Sequence, residues 1–140
     1  MSKKVVPVAA GILWKDDKVL ACQRDAEGNA GKWEFPGGRV EAGETAEQAL
    51  RRELSEELDL SVSTCWPYDK VEMDYPDFRL SMDLFVCPLA AGTEPEPRVH
   101  SALRWLSQSE LLDVDWLPAD LVVARSLGQF WDAAFFAETL

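Results

Sequence analysis

GRVEAGETAEQALRRELSEELDL, residues Gly38 to Leu60, is the stretch from which the fold can be read. Thr45 followed three residues later by Gln48 is a capping-box pattern, in which the two side chains satisfy backbone N–H groups that a helix start leaves orphaned. Ala46, Leu50, Leu54 and Leu58 then recur every four residues and lay one apolar stripe along a helix predicted over Thr45–Leu58. Asp59 stands where helices commonly end in a left-handed residue; Gly is best there and Asp is tolerated.

Glu53, Glu56 and Glu57 are spaced i, i+3 and i+4 on this helix. At about 100° per residue they project from one side, beside the leucine stripe and not opposite it. Like charges at these spacings cost a few tenths of a kcal/mol per pair, roughly, in a bare helix. Two readings follow. The carboxylates are solvated surface partnered by Arg51 and Arg52, or they face a counter-charge such as Mg²⁺ or Mn²⁺, hard cations that favour oxygen ligands. The carboxylates alone favour the first.

Outward from the helix, Val5–Trp14 and Val19–Arg24 are β-rich runs joined by Lys15-Asp16-Asp17-Lys18, a hairpin signal. Glu27-Gly28-Asn29-Ala30-Gly31, within Asp25–Lys32, predicts a flexible loop. Trp33-Glu34-Phe35 predicts a short strand that stops at Pro36-Gly37-Gly38, and Ser61–Cys65, Lys70–Tyr75, Arg79–Pro88 and Ala102–Leu106 predict four more. Ser107–Leu112 predicts a short capped helix, and Ala119–Phe136, after Pro118, a longer amphipathic one. The aromatic tail Phe130, Trp131, Phe135 and Phe136 is expected to pack on its own core, with a dimer contact as the alternative. This order predicts one α+β domain over residues 1–140, a mixed sheet flanked by two helices.

The bulk numbers exclude some classes of partner. With 25 acidic and 14 basic residues the formal charge is -11, which argues against polymeric DNA or RNA, whose binding needs basic surface. A free nucleotide stays compatible if a divalent cation brings the negative partners together. Val5–Trp14 runs straight into charged residues, and no later apolar run reaches membrane-spanning length. Of the three cysteines, Cys22 and Cys87 lie in apolar segments and are expected as buried thiols; the odd count and absent CxxC spacing suit a reducing, cytoplasmic setting.

Read from Gly38, the segment also resembles the Nudix box, G-x5-E-x7-R-E-U-x-E-E-x-G-U with U aliphatic. Gly38, Glu44, Arg52, Glu53, Leu54, Glu56, Glu57 and Leu60 match, and only Asp59 departs, where the family has Gly. The resemblance implies the Nudix fold, a mixed sheet between helices, and hydrolysis of a nucleoside diphosphate linked to another moiety. It implies Glu53, Glu56, Glu57 and the Gly38 carbonyl as ligands of Mg²⁺ or Mn²⁺. It further implies Glu44 and Arg52 as orienting groups, and Glu53 or Glu56 as acceptor of the attacking water's proton.

Ala21-Cys22-Gln23-Arg24, Trp33-Glu34-Phe35-Pro36-Gly37-Gly38 and Leu117-Pro118-Ala119-Asp120 are similar to the MutT-like branch. Its members convert nucleoside triphosphates to monophosphate and pyrophosphate. They act on oxidised guanine nucleotides such as 8-oxo-dGTP, a DNA-repair role, or on cytidine triphosphates. The resemblance implies Arg24, Phe35, Phe78 and Asp120 as substrate-binding residues. An ionised Asp120 accepts hydrogen bonds only and favours an N–H such as cytosine N4, whereas a protonated one also donates. The branch places a further Glu six residues before the Trp that corresponds to Trp105; here that position is Val99, with Glu94, Glu96 and His100 nearby. The alternatives are hydrolysis of another pyrophosphate, such as ADP-ribose or a dinucleotide polyphosphate, and a non-catalytic nucleotide-binding domain. Monomer and homodimer are both compatible with the sequence.

Overall fold

The charged run Lys15-Asp16-Asp17-Lys18 turns as its composition predicts. Asp16 and Asp17 both have positive φ, 52° and 58°, the left-handed pair that a two-residue hairpin needs to match strand twist. The computed structural model describes residues 3–25 and 29–136; of the expected Asp25–Lys32 loop, residues 26–28 lie outside that description. The hairpin joins β1 (Lys4–Lys15) to β2 (Lys18–Arg24).

β1 organises the sheet. One edge pairs in parallel with β6 (Phe78–Pro88), from Lys4↔Phe78 to Trp14↔Pro88. Its other edge is shared between β2, near the turn at Trp14↔Val19, and β4 (Gly37–Arg39), at Val8↔Arg39 to Ala10↔Gly37. Beyond the turn β2 leaves β1 and pairs with β3 (Trp33–Glu34) and with β7 (His100–Leu106). β5 (Trp66–Asp74) closes the far edge against β6. The segment from β3 to β4 therefore crosses the gap where β2 and β1 diverge, and this gap is where the polar side chains collect.

Strand side chains alternate between faces with period two. Ala9 and Leu13 of β1, Leu20 and Cys22 of β2, and Phe85 and Cys87 of β6 pack against Ala49, Leu50, Leu54 and Leu58 of α1 (Ala46–Leu58). Ala10, Ile12, Val19, Ala21, Met82, Leu84 and Val86 pack on the opposite face, against Val123, Ala124, Leu127 and Trp131 of α2 (Pro118–Phe136). The mixed sheet lies between the two helices, as expected. Each fully buried Leu of the α1 stripe contributes roughly 1.5–3 kcal/mol relative to exposure.

The helix predicted from Gly38–Leu60 has both its ends. Thr45 Oγ1 accepts from Gln48 N at 3.1 Å and Gln48 Oε1 accepts from Thr45 N at 2.9 Å. Asp59 adopts φ 54°, ψ 41°, and the Leu60 N–H reaches back to the Leu54 carbonyl at 3.2 Å. Arg98 Nη2 lies 3.2 Å from Asp59 Oδ1, offsetting a carboxylate at the negative end of the helix. Ala49, not Ala46, is the fully buried alanine of the stripe.

Several strand expectations need correction. Ser61–Cys65 is not a strand: it runs irregularly, with the Val62 carbonyl accepting from Arg51 Nη1. β5 begins at Trp66 and ends at Asp74; as an edge strand with one buried residue, Val71, and a bulge after Pro67, it shows little apolar alternation to read. The predicted Trp33–Phe35 strand ends at Glu34, and Gly37–Arg39 rejoins the sheet where a stop was expected. Only Gln108–Glu110 of the Ser107–Leu112 helix forms, as a single 3-10 turn. In the aromatic tail, Phe135 stacks on Trp14 and meets Trp131 edge-on, and Phe136 meets Trp14 edge-on, while Phe130, at a kink in α2, is exposed.

Candidate active site

The Pro36-Gly37-Gly38 turn brings β4 under α1; Gly37 is required for the approach, and Gly38 leaves the space that the Glu53 carboxylate fills. A Cβ on Gly37, at φ 156°, would fall 2.0 Å from the Ala9 carbonyl oxygen, and one on Gly38 would fall 2.4 Å from Glu53 Cδ. The Glu53 carboxylate thus rests against the β4 backbone. Glu57 follows one turn further along the same helix side, where the Gly37 backbone N–H favours its charged form.

Arg52 is fixed from four directions. Its Nε donates to Glu44 Oε2 at 2.8 Å and Nη2 to Glu44 Oε1 at 3.0 Å, a two-point clasp. Nη1 donates to Glu53 Oε1 at 2.8 Å and approaches Glu56 Oε2 at 3.4 Å, and Nη2 also reaches the Arg39 carbonyl. The hydrogen bonds from Arg52 hold the Glu44 carboxyl below its usual range.

A cavity of about 350 Å³ opens beside these groups, lined by Arg24, Glu34, Glu53, Glu56, Glu57 and His100 together with Asp25 and Val99. Three buried polar atoms on its lining have no partner among the described residues: Glu57 Oε1, His100 Nδ1 and Arg24 Nε. Desolvation pushes the Glu57 carboxyl up to about 7, opposed by His100 and reinforced by the charges of Glu53 and Glu34. His100 Nε2 donates to Glu34 Oε2 at 3.0 Å, and Glu34 Oε1 accepts from Arg24 Nη1 at the same distance. The His100 side chain is 2% exposed.

A second cavity, about 520 Å³, shares Arg24 and Glu34 with the first and continues toward α2. Its walls include Phe35, Tyr75, Phe78, Leu80, Met82 and Asp120. Tyr75 and Phe78 stack at 4.8 Å across the β5–β6 turn. Phe35 is 2% exposed and stacks on Trp116 at 4.5 Å, so most of the ring belongs to the core. Asp120, 7% exposed, accepts from the Phe35 N–H at 2.9 Å through Oδ1. Burial pushes its carboxyl up to about 7, against the pull of that hydrogen bond.

All four substrate-binding candidates, Arg24, Phe35, Phe78 and Asp120, therefore line the second cavity. Glu94 and Glu96, considered for the missing carboxylate, are not on the first: Glu94 pairs with Lys15 at 2.6 Å. Val99 does line that cavity, as an apolar group, and the polar neighbours there are Glu34 and His100. Sequence reasoning missed both as site residues. Glu34 stood inside a quoted motif without a role, and His100 was a lone loop histidine until β7 paired Arg24 with it. Tyr75 was missed as well; its signal was the turn Tyr75-Pro76-Asp77-Phe78 that faces two aromatics at each other.

The fold and the carboxylate helix together define a Nudix hydrolase. The NUDIX domain model matches residues 5–138, and the chain belongs to that family, within its MutT-like branch. It is 44% identical over 115 residues, 81% of each chain, to the putative 8-oxo-dGTP diphosphatase 2 of Mycobacterium tuberculosis. It is 35% identical over 119 residues to the CTP pyrophosphohydrolase of Escherichia coli, covering 84% of this chain and 87% of the relative. The solution structure of the Escherichia coli ORF135 protein superposes with a TM-score of 0.82 at 32% identity, over 94% of both chains.

Nudix hydrolases generally use divalent metal ions. Among the described residues, no three His, Cys, Asp or Glu side chains converge as a ready-made ligand set; Glu53 and Glu56 are instead engaged by Arg52. The donor chemistry nevertheless fits a hard cation. Glu57 carries a buried oxygen without a partner among the described residues, three carboxylates share one helix side, and the Glu53 carboxylate packs closely on the Gly38 backbone.

Proposed function

We propose that this protein is a divalent-cation-dependent pyrophosphohydrolase that converts a nucleoside triphosphate and water to the monophosphate and pyrophosphate. The observation that carries this reading is the junction of the two cavities: an acidic pocket beside the carboxylate helix meets an apolar, aromatic-walled cavity, and Arg24 and Glu34 stand on both. That division matches a phosphate chain at one end and a nucleobase at the other. Aromatic walls favour a base by stacking, about 1–3 kcal/mol per base.

In this reading Glu53, Glu56, Glu57 and the Gly38 carbonyl hold Mg²⁺ or Mn²⁺. The cation would polarise the phosphate oxygens and acidify water. Arg52, clasped by Glu44, keeps the Glu53 carboxylate at β4. Glu53 or Glu56 takes the proton of the attacking water; Glu56, 60% exposed and more loosely tied to Arg52, has the freer carboxylate. Arg24, charged and held at 3.0 Å by Glu34, orients the sugar or phosphate end. Asp120 offers one oxygen to the base edge, because the other is occupied by the Phe35 N–H.

The choice of base follows from Asp120. A carboxyl pushed up to about 7 is present in both protonation states near neutral pH, so it accepts from an amino group such as cytosine N4 and donates to a carbonyl such as that of an oxidised guanine. The relatives named for 8-oxo-dGTP and for CTP both suit such a group. A panel of nucleoside triphosphates with Mg²⁺ tests the reading. Pyrophosphate and monophosphate are the expected products from 8-oxo-dGTP or CTP, and orthophosphate as the only product from every nucleotide would refute it.

A further inference from the structure

Cys65 and Cys87 take no part in the chemistry above, yet their sulfurs lie 3.0 Å apart. The contact follows from register. Trp66 of β5 faces Val86 of β6, so the residues one step outward, Cys65 and Cys87, face each other at the open end of the same hairpin. Directly opposed strand residues hold their Cβ atoms about 4.5–5.5 Å apart, within a small adjustment of the roughly 3.8 Å of a bridged pair. Both thiols are free. Cys87 is fully buried and Cys65 is half-buried, and Cys22 lies on β2 with β1 standing between it and β6.

We infer that Cys65 and Cys87 form a redox modification site, closing to a reversible cross-strand disulfide when the protein meets a hydroperoxide. Cys65, the accessible member, is the attacking thiol. The hydrogen bond from the Cys87 thiol and the nearby Arg51 guanidinium favour its thiolate, against the penalty of partial burial. Arg51 also donates to the Val62 carbonyl, which anchors the segment leading to Cys65. The Cys65 thiolate attacks one peroxide oxygen, the O–O bond breaks, and hydroxide leaves with a sulfenic acid on Cys65. The Cys87 sulfur then attacks the Cys65 sulfur; the S–O bond breaks, and the departing hydroxide takes the Cys87 proton as water. Two thiols and one hydrogen peroxide become one disulfide and two waters, with two electrons passing from sulfur to peroxide.

The bridge would close the base of the β5–β6 hairpin, whose turn carries Tyr75 and Phe78 on the wall of the aromatic cavity. Full-length protein treated with hydrogen peroxide is the test, read by intact mass, by peptide mapping without reductant and by thermal melting. Expected are a loss of about 2 Da, a linked Cys65–Cys87 peptide pair, reversal by dithiothreitol, and a melting midpoint raised on the order of 10 °C. Cys65→Ser should abolish the mass loss, Cys22→Ala should leave it intact, and Cys87→Ala should leave a trappable sulfenic acid on Cys65. Because Cys65 is half-buried, the serine variant keeps the test available if Cys87→Ala fails to fold. Sulfinic acid on Cys65 without a bridge, a bridge that includes Cys22, or a lowered melting midpoint in the bridged protein would overturn the proposal.

Discussion

Arg52 and Glu44 meet along one edge of the guanidinium, Nε to Oε2 at 2.8 Å and Nη2 to Oε1 at 3.0 Å. The clasp leaves Nη1 aimed at Glu53, so Glu44 sets the position of a carboxylate nine residues away. Glu44→Gln keeps one acceptor but loses the charge and the two-point grip. We expect kcat to fall roughly 10–100-fold, the size typical of losing a group that orients metal ligands. Arg52→Lys should do the same, because an ammonium does not reproduce the planar fork. Unchanged kcat in both, measured by pyrophosphate release, would remove the orienting role.

Glu57 gives a pH dependence whose sign is fixed by burial. Its folded carboxyl is pushed up to about 7, above the ordinary 4.5, so below neutrality a proton competes with any cation for the same oxygens. Affinity for Mn²⁺, followed by calorimetry, should weaken by up to about tenfold per pH unit as pH falls below 7. Glu57→Gln should bind weakly and with a flatter pH profile. An affinity independent of pH between 5 and 8 would sink the assignment of Glu57 as a ligand.

Asp120 acts on stability with the opposite pH trend. Its folded value, about 7, lies above the ordinary 3.8; the stabilisation is therefore fully present at acid pH and is lost as pH rises through 7. Asp120→Asn removes the titration, so the melting temperature of the variant should fall less between pH 5 and 8 than that of the wild type. The same substitution fixes one donor and one acceptor at the base edge, and the relative rates on CTP and 8-oxo-dGTP should change. An identical substrate ranking in wild type and variant would exclude Asp120 as the base reader.

The helix was the most legible part of the molecule, because its information is local: the cap, the stripe and the carboxylates all follow from neighbours within four residues. β1 and β6 were legible for a related reason, since both are buried on two faces and their apolar runs are long. β5 was not, because an exposed edge strand buries almost nothing, and the segment Ser61–Cys65 offered β-prone residues with no strand to pair them. The site divides in the same way. Glu53, Glu56 and Glu57 are one helix side, whereas Glu34 and His100 meet across 66 residues of chain and only through the pairing of β2 with β3 and β7.

That long-range pair yields a prediction with a built-in control. His100 donates through Nε2 to Glu34, and its Nδ1 has no partner among the described residues on the acidic cavity. Gln places its terminal amide near the Nε2 position, while Asn places it near Nδ1. If His100 serves through its hold on Glu34, His100→Gln should retain most of the activity and His100→Asn should lose it. If the free nitrogen meets the substrate or its water, the order reverses. Either order, read as kcat and KM separately, assigns the working atom, and full activity in both variants would return His100 to a packing role.

Asp59 is the residue at which this chain departs from its family's pattern, and the structure gives the departure a stability consequence. A non-glycine residue in the left-handed region costs about 1–2 kcal/mol, and the carboxylate sits at the helix end where negative charge is unfavourable. Against this stands the exposed ion pair with Arg98 at 3.2 Å, with a median value of about 0–1 kcal/mol. The backbone strain outweighs the ion pair, so Asp59→Gly should stabilise the fold by roughly 0.5–1 kcal/mol. Urea denaturation should show the midpoint rising with the slope unchanged, and kcat should stay within about twofold, because Asp59 touches neither cavity. A midpoint that falls would mean that Arg98 and Asp59 hold the loop before β7 onto the end of α1 more strongly than an exposed pair should. Arg98→Ala would then show the same loss in the wild-type background and none in Asp59→Gly.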